Sequence, residues 1–228
     1  IPEAARRARR LAGPESVVLS TSAKSAHLAA RAVGARRWLA DLNDPWVGNP
    51  HMPVGPIGDA IHRRLERSSL GYAEHITAVT PPLRDLLAEQ YGPSRVSTLM
   101  SGFEPMTTAA TTPDRSGTAV VLYAGTLYEK FDLTPLYQGV AVARDAGDVT
   151  ADQLRFRFVG RLNERVRRES SAHGVEEFFH VSPPVSREDV LAMMAEATAL
   201  LLPLYQDDPY SLPMKFFEYV GSGRPIVA

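Results

Sequence analysis

One stretch near the end of the chain limits the fold more than any other. Residues 200–204, Leu-Leu-Leu-Pro-Leu, open it with an apolar run of strand length, and a polar loop carrying Pro209 and Pro213 follows. Met214 to Val220 then repeats at helical spacing, and Gly221 and Gly223 end that pattern before Pro225-Ile226-Val227-Ala228 begins another strand. The order strand, loop, helix, strand belongs to a parallel sheet, in which the loop after a strand sits at its carboxyl end, where open α/β sheets bind ligands. Ser211 is placed to cap the helix with Pro213 in its first turn. The N–H groups of such a helix end suit an anion, a phosphate being the natural one. Lys215 and Glu218 fall one turn apart on one face, while Phe216, Phe217 and Val220 supply the buried side. By spacing alone the pair reads as a solvated ion pair worth about 0.2–0.5 kcal/mol.

The same rhythm runs through the rest of the chain. In the first half, strands are expected over 17–20, 38–41, 75–79 and 96–100, and helices over 1–11, 22–33, 57–70 and 83–91. After Asp41 comes a loop too rich in Pro and Gly to be regular, with Asp44-Pro45-Trp46 at its start. Residues 106–118, rich in Thr and Ala without apolar periodicity, read as a linker between a part-domain over 1–105 and another over 119–228. In the second half, strands are expected over 120–125, 154–160 and 177–181, and at Leu200. Helices are expected over 133–146, 164–171 and 186–197. The strands over 120–125 and 154–160 each end in a glycine, Gly125 and Gly160, followed by Thr126 and Arg161. Lys130 stands shortly after Gly125. On its own it reads as a solvated loop lysine, and Arg161 either reaches an anion or sits on the surface.

The segment Ser211-Leu212-Pro213-Met214-Lys215-Phe216-Phe217-Glu218-Tyr219-Val220-Gly221-Ser222-Gly223-Arg224-Pro225-Ile226-Val227-Ala228 resembles the donor-site segment of the GT-B glycosyltransferases of the retaining family four, or group 1, type. The resemblance extends over most of the chain, strongly from Val120 onward and more loosely before it. It implies two Rossmann-like domains, each partly covered here, and transfer of a sugar from a nucleoside diphosphate to an acceptor hydroxyl with retention. It further implies that Glu218 holds the ribose of the nucleotide sugar, a carboxylate being able to accept from both hydroxyls of a vicinal diol. Tyr210, Ser211, Leu212, Pro213 and Lys215 would lie against the diphosphate and sugar. Gly125, Thr126 and Lys130 match the family's strand-end glycine and downstream lysine, with Lys130 and Arg161 neutralising the leaving diphosphate. Asp44 falls where relatives line the cleft and is the candidate for a sugar hydroxyl; its other reading is a cap for the turn before Pro45.

Two positions depart from the family. Tyr210 stands where many members carry a second glutamate, eight residues before Glu218, and points to a less hydroxylated donor sugar unless Asp207 or Asp208 takes over. Thr126 stands where many have arginine. Related readings are another GT-B activity, an inverting transferase or a nucleotide-sugar epimerase, and a non-catalytic protein that binds a nucleotide sugar or a partner transferase.

Composition adds mostly exclusions. At 228 residues the chain is shorter than two full Rossmann-like domains of roughly 150 residues each, so about a quarter to a third of such an enzyme is expected to lie outside it. A net charge of −1 gives no general attraction to nucleic acid. Zero cysteines exclude disulfides and thiolate metal sites and fit a reducing, cytoplasmic compartment. No Asp-x-Asp pair, metal-spaced histidines, phosphate loop or dinucleotide fingerprint occurs, so no metal or cofactor is expected beyond the donor itself. Expected partners are the nucleotide-sugar donor and a carbohydrate, lipid-linked or small-molecule acceptor. The basic helix over 1–11, with Arg6, Arg7, Arg9 and Arg10, reads as a solvated face or as a peripheral contact with anionic lipid.

Overall fold

Short runs of β-branched and aromatic residues form parallel strands, and amphipathic segments between them form the crossover helices. The computed structural model describes residues 1–13, 15–21, 23–104, 117–161, 164–205 and 208–228, so most of the expected linker, together with Ser22 and Asp207, lies outside the described residues. The chain divides into two units, Ile1–Ser101 with Gln206–Leu212, and Gly102–Tyr205 with Pro213–Ala228.

The first unit runs α1 (Pro2–Leu11), β1 (Val17–Thr21), α2 (Lys24–Val33), β2 (Arg37–Leu42), α3 (Gly55–Leu70), β3 (His75–Ala78), α4 (Pro81–Tyr91) and β4 (Val96–Thr98). Its strands pair in parallel in the order β1-β2-β3-β4. Trp38, Ala40 and Leu42 alternate into the core of β2, as period-two burial requires. Thr80 caps α4 by accepting from the Leu83 N–H at 3.3 Å, and Pro81 and Pro82 fill the first turn, where a missing N–H costs nothing. Arg9 of α1 donates to the carbonyls of Ala32 and Val33, so one arginine of the basic helix is spent on α2.

The second unit runs β5 (Ala119–Ala124), α5 (Thr134–Asp145), β6 (Leu154–Val159), α6 (Glu164–Ala172), β7 (Phe179–Ser182), α7 (Arg187–Glu196), β8 (Ala199–Leu201), α8 (Met214–Ser222) and β9 (Ile226–Val227). Its parallel sheet has the order β7-β6-β5-β8-β9. Strand residues alternate between two cores: Val121, Tyr123, Phe156, Phe158, Ala199 and Leu201 join one, Leu122, Ala124, Val159 and Leu200 the other. Both faces of the sheet are therefore covered, which is why these strands read as continuous apolar runs. Leu122 and Leu200 are essentially solvent-free, each contributing about 1.5–3 kcal/mol of burial. The strand order reverses between β5 and β8, and such a switch point opens a crevice at the carboxyl ends of those two strands.

Two expectations are corrected. Glu177 falls in a 3₁₀ turn, Glu176–Phe178, and β7 starts only at Phe179. Ser211 does not cap α8: Pro213 is the residue before the helix, no side chain caps it, and the Ser211 hydroxyl is engaged elsewhere.

Candidate functional site

In the second unit the site is built at the ends of β5 and β6. Gly125 and Gly160 adopt φ of 145° and 147°, a region closed to other residues at little cost. The Gly125 N–H donates to the Val159 carbonyl at 2.7 Å, the Leu127 N–H to the Arg161 carbonyl at 3.2 Å, and the Gly160 N–H to the Ser182 carbonyl at 3.1 Å, so the two chains stay zipped past their strands. A Cβ on Gly160 would overlap the Gly125 carbonyl, and a Cβ on Gly125 would overlap the Lys215 ammonium. Lys215 thus crosses from α8 to lie directly on the end of β5, its Nζ 5.8 Å from the Tyr123 ring centroid. Burial lowers the Lys215 pKa below the ordinary lysine value, against an opposing pull from the Glu218 carboxylate.

Glu218 is half exposed and is held by Arg187, the first residue of α7, whose guanidinium donates to it at 3.2 Å and lies 3.7 Å from Glu104. Lys130 is exposed, with its ammonium 5.1 Å from the Tyr205 ring centroid, 5.7 Å from Phe131 and 5.8 Å from Tyr128, within cation–π range of all three. The Thr126 carbonyl accepts from the Tyr123 hydroxyl at 2.7 Å. Arg161 is exposed. Gly125, Lys215 and Tyr123 are therefore brought into direct contact, Glu218 stands one turn further along α8, and Lys130 lies in the loop that Gly125 begins. With no side-chain cap on α8, the N–H groups of its first two residues, Met214 and Lys215, stay open to a ligand, while that of Phe216 donates to the Pro213 carbonyl at 2.9 Å.

In the first unit the loop after β2 is knotted to residues 208–211. Asp208 accepts from the N–H groups of Tyr210 and Ser211 at 3.0 Å each, and its other oxygen lies 2.5 Å from His51 Nε2. Burial pushes the Asp208 pKa up, yet the hydrogen bonds from Ser211, Tyr210 and His51 outweigh it and hold the carboxyl below its ordinary value. The Ser211 hydroxyl donates to Asp44 at 2.6 Å, and the Tyr210 carbonyl accepts from the Thr80 hydroxyl. So Asp44, Tyr210 and Ser211 are drawn together, through Ser211 rather than through a turn cap at Asp44. Leu212 and Pro213 supply only the half-buried backbone that leads into α8.

A cavity of about 400 Å³ lies beside this knot, walled by Lys24, His27, Asp44, Trp46, Asn49 and Met52 among others. His27 is buried, stacks on Trp46 at 5.8 Å between centroids, and holds Ser20 Oγ at 2.8 Å, which accepts in turn from Trp38 Nε1 at 2.8 Å. Ser20 thereby keeps its own proton for His27 Nδ1, which fits a neutral imidazole protonated on Nε2. Arg187, Tyr123 and the cavity residues Lys24, His27, Trp46 and Asn49 were not legible as site residues. Gly160 was marked as a strand end without its contact to Gly125. Among the described residues no group of three His, Cys, Asp or Glu side chains gathers as a metal set, and no helix is long and apolar enough to cross a membrane.

Residues 118–228 match the family described as Glycosyl transferases group 1. No curated protein sequence matches the chain. Among solved structures, the lipopolysaccharide outer core galactosyltransferase WaaB in its apo form is similar with a TM-score of 0.67 at 16% identity, over 99% of this chain and 60% of that one. HepE of Anabaena, solved in complex with UDP-glucose, is similar with a TM-score of 0.68 at 15% identity, over 98% of this chain and 62% of that one. An α,α-trehalose-phosphate synthase (UDP-forming) from Burkholderia vietnamiensis gives a TM-score of 0.69 at 12% identity, over 96% and 57%. The chain thus spans about three fifths of the length of these structures. Its two parallel-sheet units have the α/β architecture of the GT-B fold, and its second unit carries the group 1 glycosyl transferase pattern.

Proposed function

We propose that the protein transfers a sugar from a nucleoside diphosphate to an acceptor hydroxyl with retention of anomeric configuration. The observation that carries this reading is the placement of Lys215 on Gly125 at the sheet's switch point, one helical turn from Glu218, inside the segment that matches the group 1 transferases. In this reading Glu218, oriented by Arg187, accepts from the ribose hydroxyls. The strand-end backbone at Gly125 and Thr126 lets the diphosphate approach. Lys215, Lys130, Arg161 and the open first turn of α8 offset the negative charge that grows as the diphosphate departs. The departing phosphate takes the acceptor proton, and Asp44 holds a hydroxyl. That HepE was solved with UDP-glucose makes a UDP-sugar the first donor to try. With Tyr210 in place of a carboxylate, a deoxysugar donor deserves a place in the same panel.

Incubating the full-length protein with UDP-, GDP- and dTDP-sugars should give slow donor hydrolysis or transfer. Nucleotide-sugar binding without turnover under any acceptor would favour the non-catalytic reading. Substituting Glu218→Ala should weaken binding of the matching nucleoside diphosphate ten- to a hundredfold, the loss of charge-assisted hydrogen bonds of about 1.5–3 kcal/mol. Unchanged affinity by calorimetry would remove Glu218 from the site. We also propose that no divalent cation takes part, because in this reading cationic side chains and helix N–H groups offset the charge of the leaving group. Turnover is then expected to persist in EDTA, whereas loss in EDTA and recovery with magnesium or manganese would overturn that part of the mechanism. A cytoplasmic location, with Arg6, Arg7 and Arg10 touching anionic lipid headgroups, is part of the same proposal.

A further inference from the structure

Gly221 and Gly223 both stand at the end of α8, and the structure gives them different reasons to be glycine. Gly223 leaves the helix at φ 68°, the left-handed turn that glycine supplies at a helix end. Gly221 is still inside the helix, with no positive φ to call for glycine, and a helix interior favours alanine over glycine. Space is what keeps a side chain out. A Cβ on Gly221 would overlap Cβ, Cγ and Cδ2 of Phe103, so this aromatic lies directly against the bare backbone of α8. Phe103 stays 48% exposed, and the contact is not one of core packing. The next residue reaches the same face of the helix by another route. Gly221 and Glu218 are three residues apart and therefore neighbours along α8. Arg187 donates through Nη1 to Glu218 Oε1 at 3.2 Å, and its Nη2 lies 3.7 Å from Glu104 Oε2. Phe103, Glu104, Arg187, Glu218 and Gly221 all belong to the second unit.

We propose that Phe103 and Glu104 are positioning residues for Glu218, Phe103 by fixing the last turn of α8 at Gly221 and Glu104 by holding one arm of Arg187 away from the Glu218 carboxylate. The assignment rests on the reading of Glu218 as the residue that accepts from the ribose hydroxyls. Arg187, Glu104 and Glu218 are all well exposed, and ion pairs of that kind add little to stability. What they fix is direction. With Nη2 turned to Glu104, the guanidinium meets Glu218 through one nitrogen and one oxygen. Without Glu104 the same fork is free to close on both carboxylate oxygens, the bidentate geometry that arginine favours, and would then compete with a diol for them. Phe103 and Glu104 thus act through α8 and Arg187, with no contact to the ligand required of either.

The test compares UDP and GDP with their 2′-deoxy forms by calorimetry on the full-length protein, because only the ribose forms present a vicinal diol to a carboxylate. Wild type should prefer the ribose form of the nucleotide it binds by about tenfold, the worth of one charge-assisted hydrogen bond. Glu104→Gln should cut that preference about threefold or more and leave the affinity for the deoxy form unchanged, whereas in an Arg187→Met background the same substitution should do nothing. Gly221→Ala should cut the preference too, by displacing the ring. Added to Phe103→Ala, it should instead raise the urea midpoint above that of Phe103→Ala alone, since helix propensity then acts unopposed. A preference untouched by Glu104→Gln and Gly221→Ala, a loss shared equally by the deoxy forms, or a Glu104→Gln effect that persists without Arg187 would overturn the assignment. Glu218→Ala tells the two failures apart. If the ribose reading is wrong, this variant keeps the wild-type preference; if only the positioning is wrong, it loses the preference while Glu104→Gln and Gly221→Ala retain it.

Discussion

Replacing Gly160 with alanine should cost about 3–5 kcal/mol and take the proposed nucleotide site with it. At φ 147° an alanine pays backbone strain before any contact is considered. Its Cβ would then fall on the carbonyl of Gly125, which is backbone and cannot rotate away. The only relief is to part the ends of β5 and β6, breaking the bond from the Gly125 N–H to Val159 and shifting the surface on which Lys215 rests. Gly139 is the matched control. It lies inside α5 with nothing near its missing Cβ, so Gly139→Ala should stabilise by about 0.5–1 kcal/mol through helix propensity. Urea melts of the two variants, read beside nucleoside diphosphate affinity, separate the cases. A Gly160→Ala protein as stable as wild type would mean that the strand ends are not packed against each other.

The contrast between those two glycines also marks what the sequence could reveal. Period-two burial and strand-length apolar runs announce β5, β6 and β8, and a glycine after each of the first two marks where the chain leaves the sheet. Helix α8 is legible only in part: Phe217 buries as the spacing predicts, but Val220, expected on the buried side, is 46% exposed and Tyr219 takes its place in the core, while Lys215 and Glu218 lie off that core face. Pairings distant along the chain leave no such pattern. Arg187 and Glu218 are 31 residues apart, and Ser211 and Asp44 are 167 apart, so nothing local signals either bond. Ser211 shows how a local rule is overridden. Its residue type and its place before Pro213 favour a cap, but Asp208 takes its N–H and Asp44 its hydroxyl, and α8 starts uncapped. The cavity residues escaped notice for a different reason. Lys24, His27 and Trp46 look like ordinary helix and core residues until the fold brings α2 and the loop after β2 to one wall.

Lys215 illustrates what the proposed site costs the fold. Its ammonium is drawn out of water onto Gly125, and burial lowers its pKa, so the folded state disfavours the charge that the proposed diphosphate would call on. A ligand anion placed there would favour the charged form and raise the pKa again. Stability lost by the empty site would then reappear as binding, the usual relation between strained functional groups and the scaffold that holds them.

Acid should weaken the first unit by about 2–3 kcal/mol between pH 7 and pH 4.5 through His27 alone. Desolvation by burial, opposed only in part by the Asp41 carboxylate on β2, lowers the His27 pKa from 6.5 to about 4. The unfolded chain takes up a proton near 6.5, while the folded protein resists it down to about 4. The stabilising preference for neutral His27 is therefore complete above pH 6.5 and is lost as the pH falls toward 4. Two other groups act in the same region and can be told apart. Asp208, held below its ordinary value, adds loss only at still lower pH, whereas Glu66, raised by burial despite its bond from Tyr91, works in the opposite direction. The structural consequence is local. A protonated His27 can no longer accept from Ser20 through Nδ1, so the Ser20 oxygen must accept from both Trp38 and His27 and its own proton loses that acceptor, beside the ring that stacks on Trp46. Urea melts at pH 7 and 4.5 measure the change, and His27→Gln, whatever its stability at neutral pH, should flatten most of the difference. An equally steep acid loss in His27→Gln would place the responsible proton on another group.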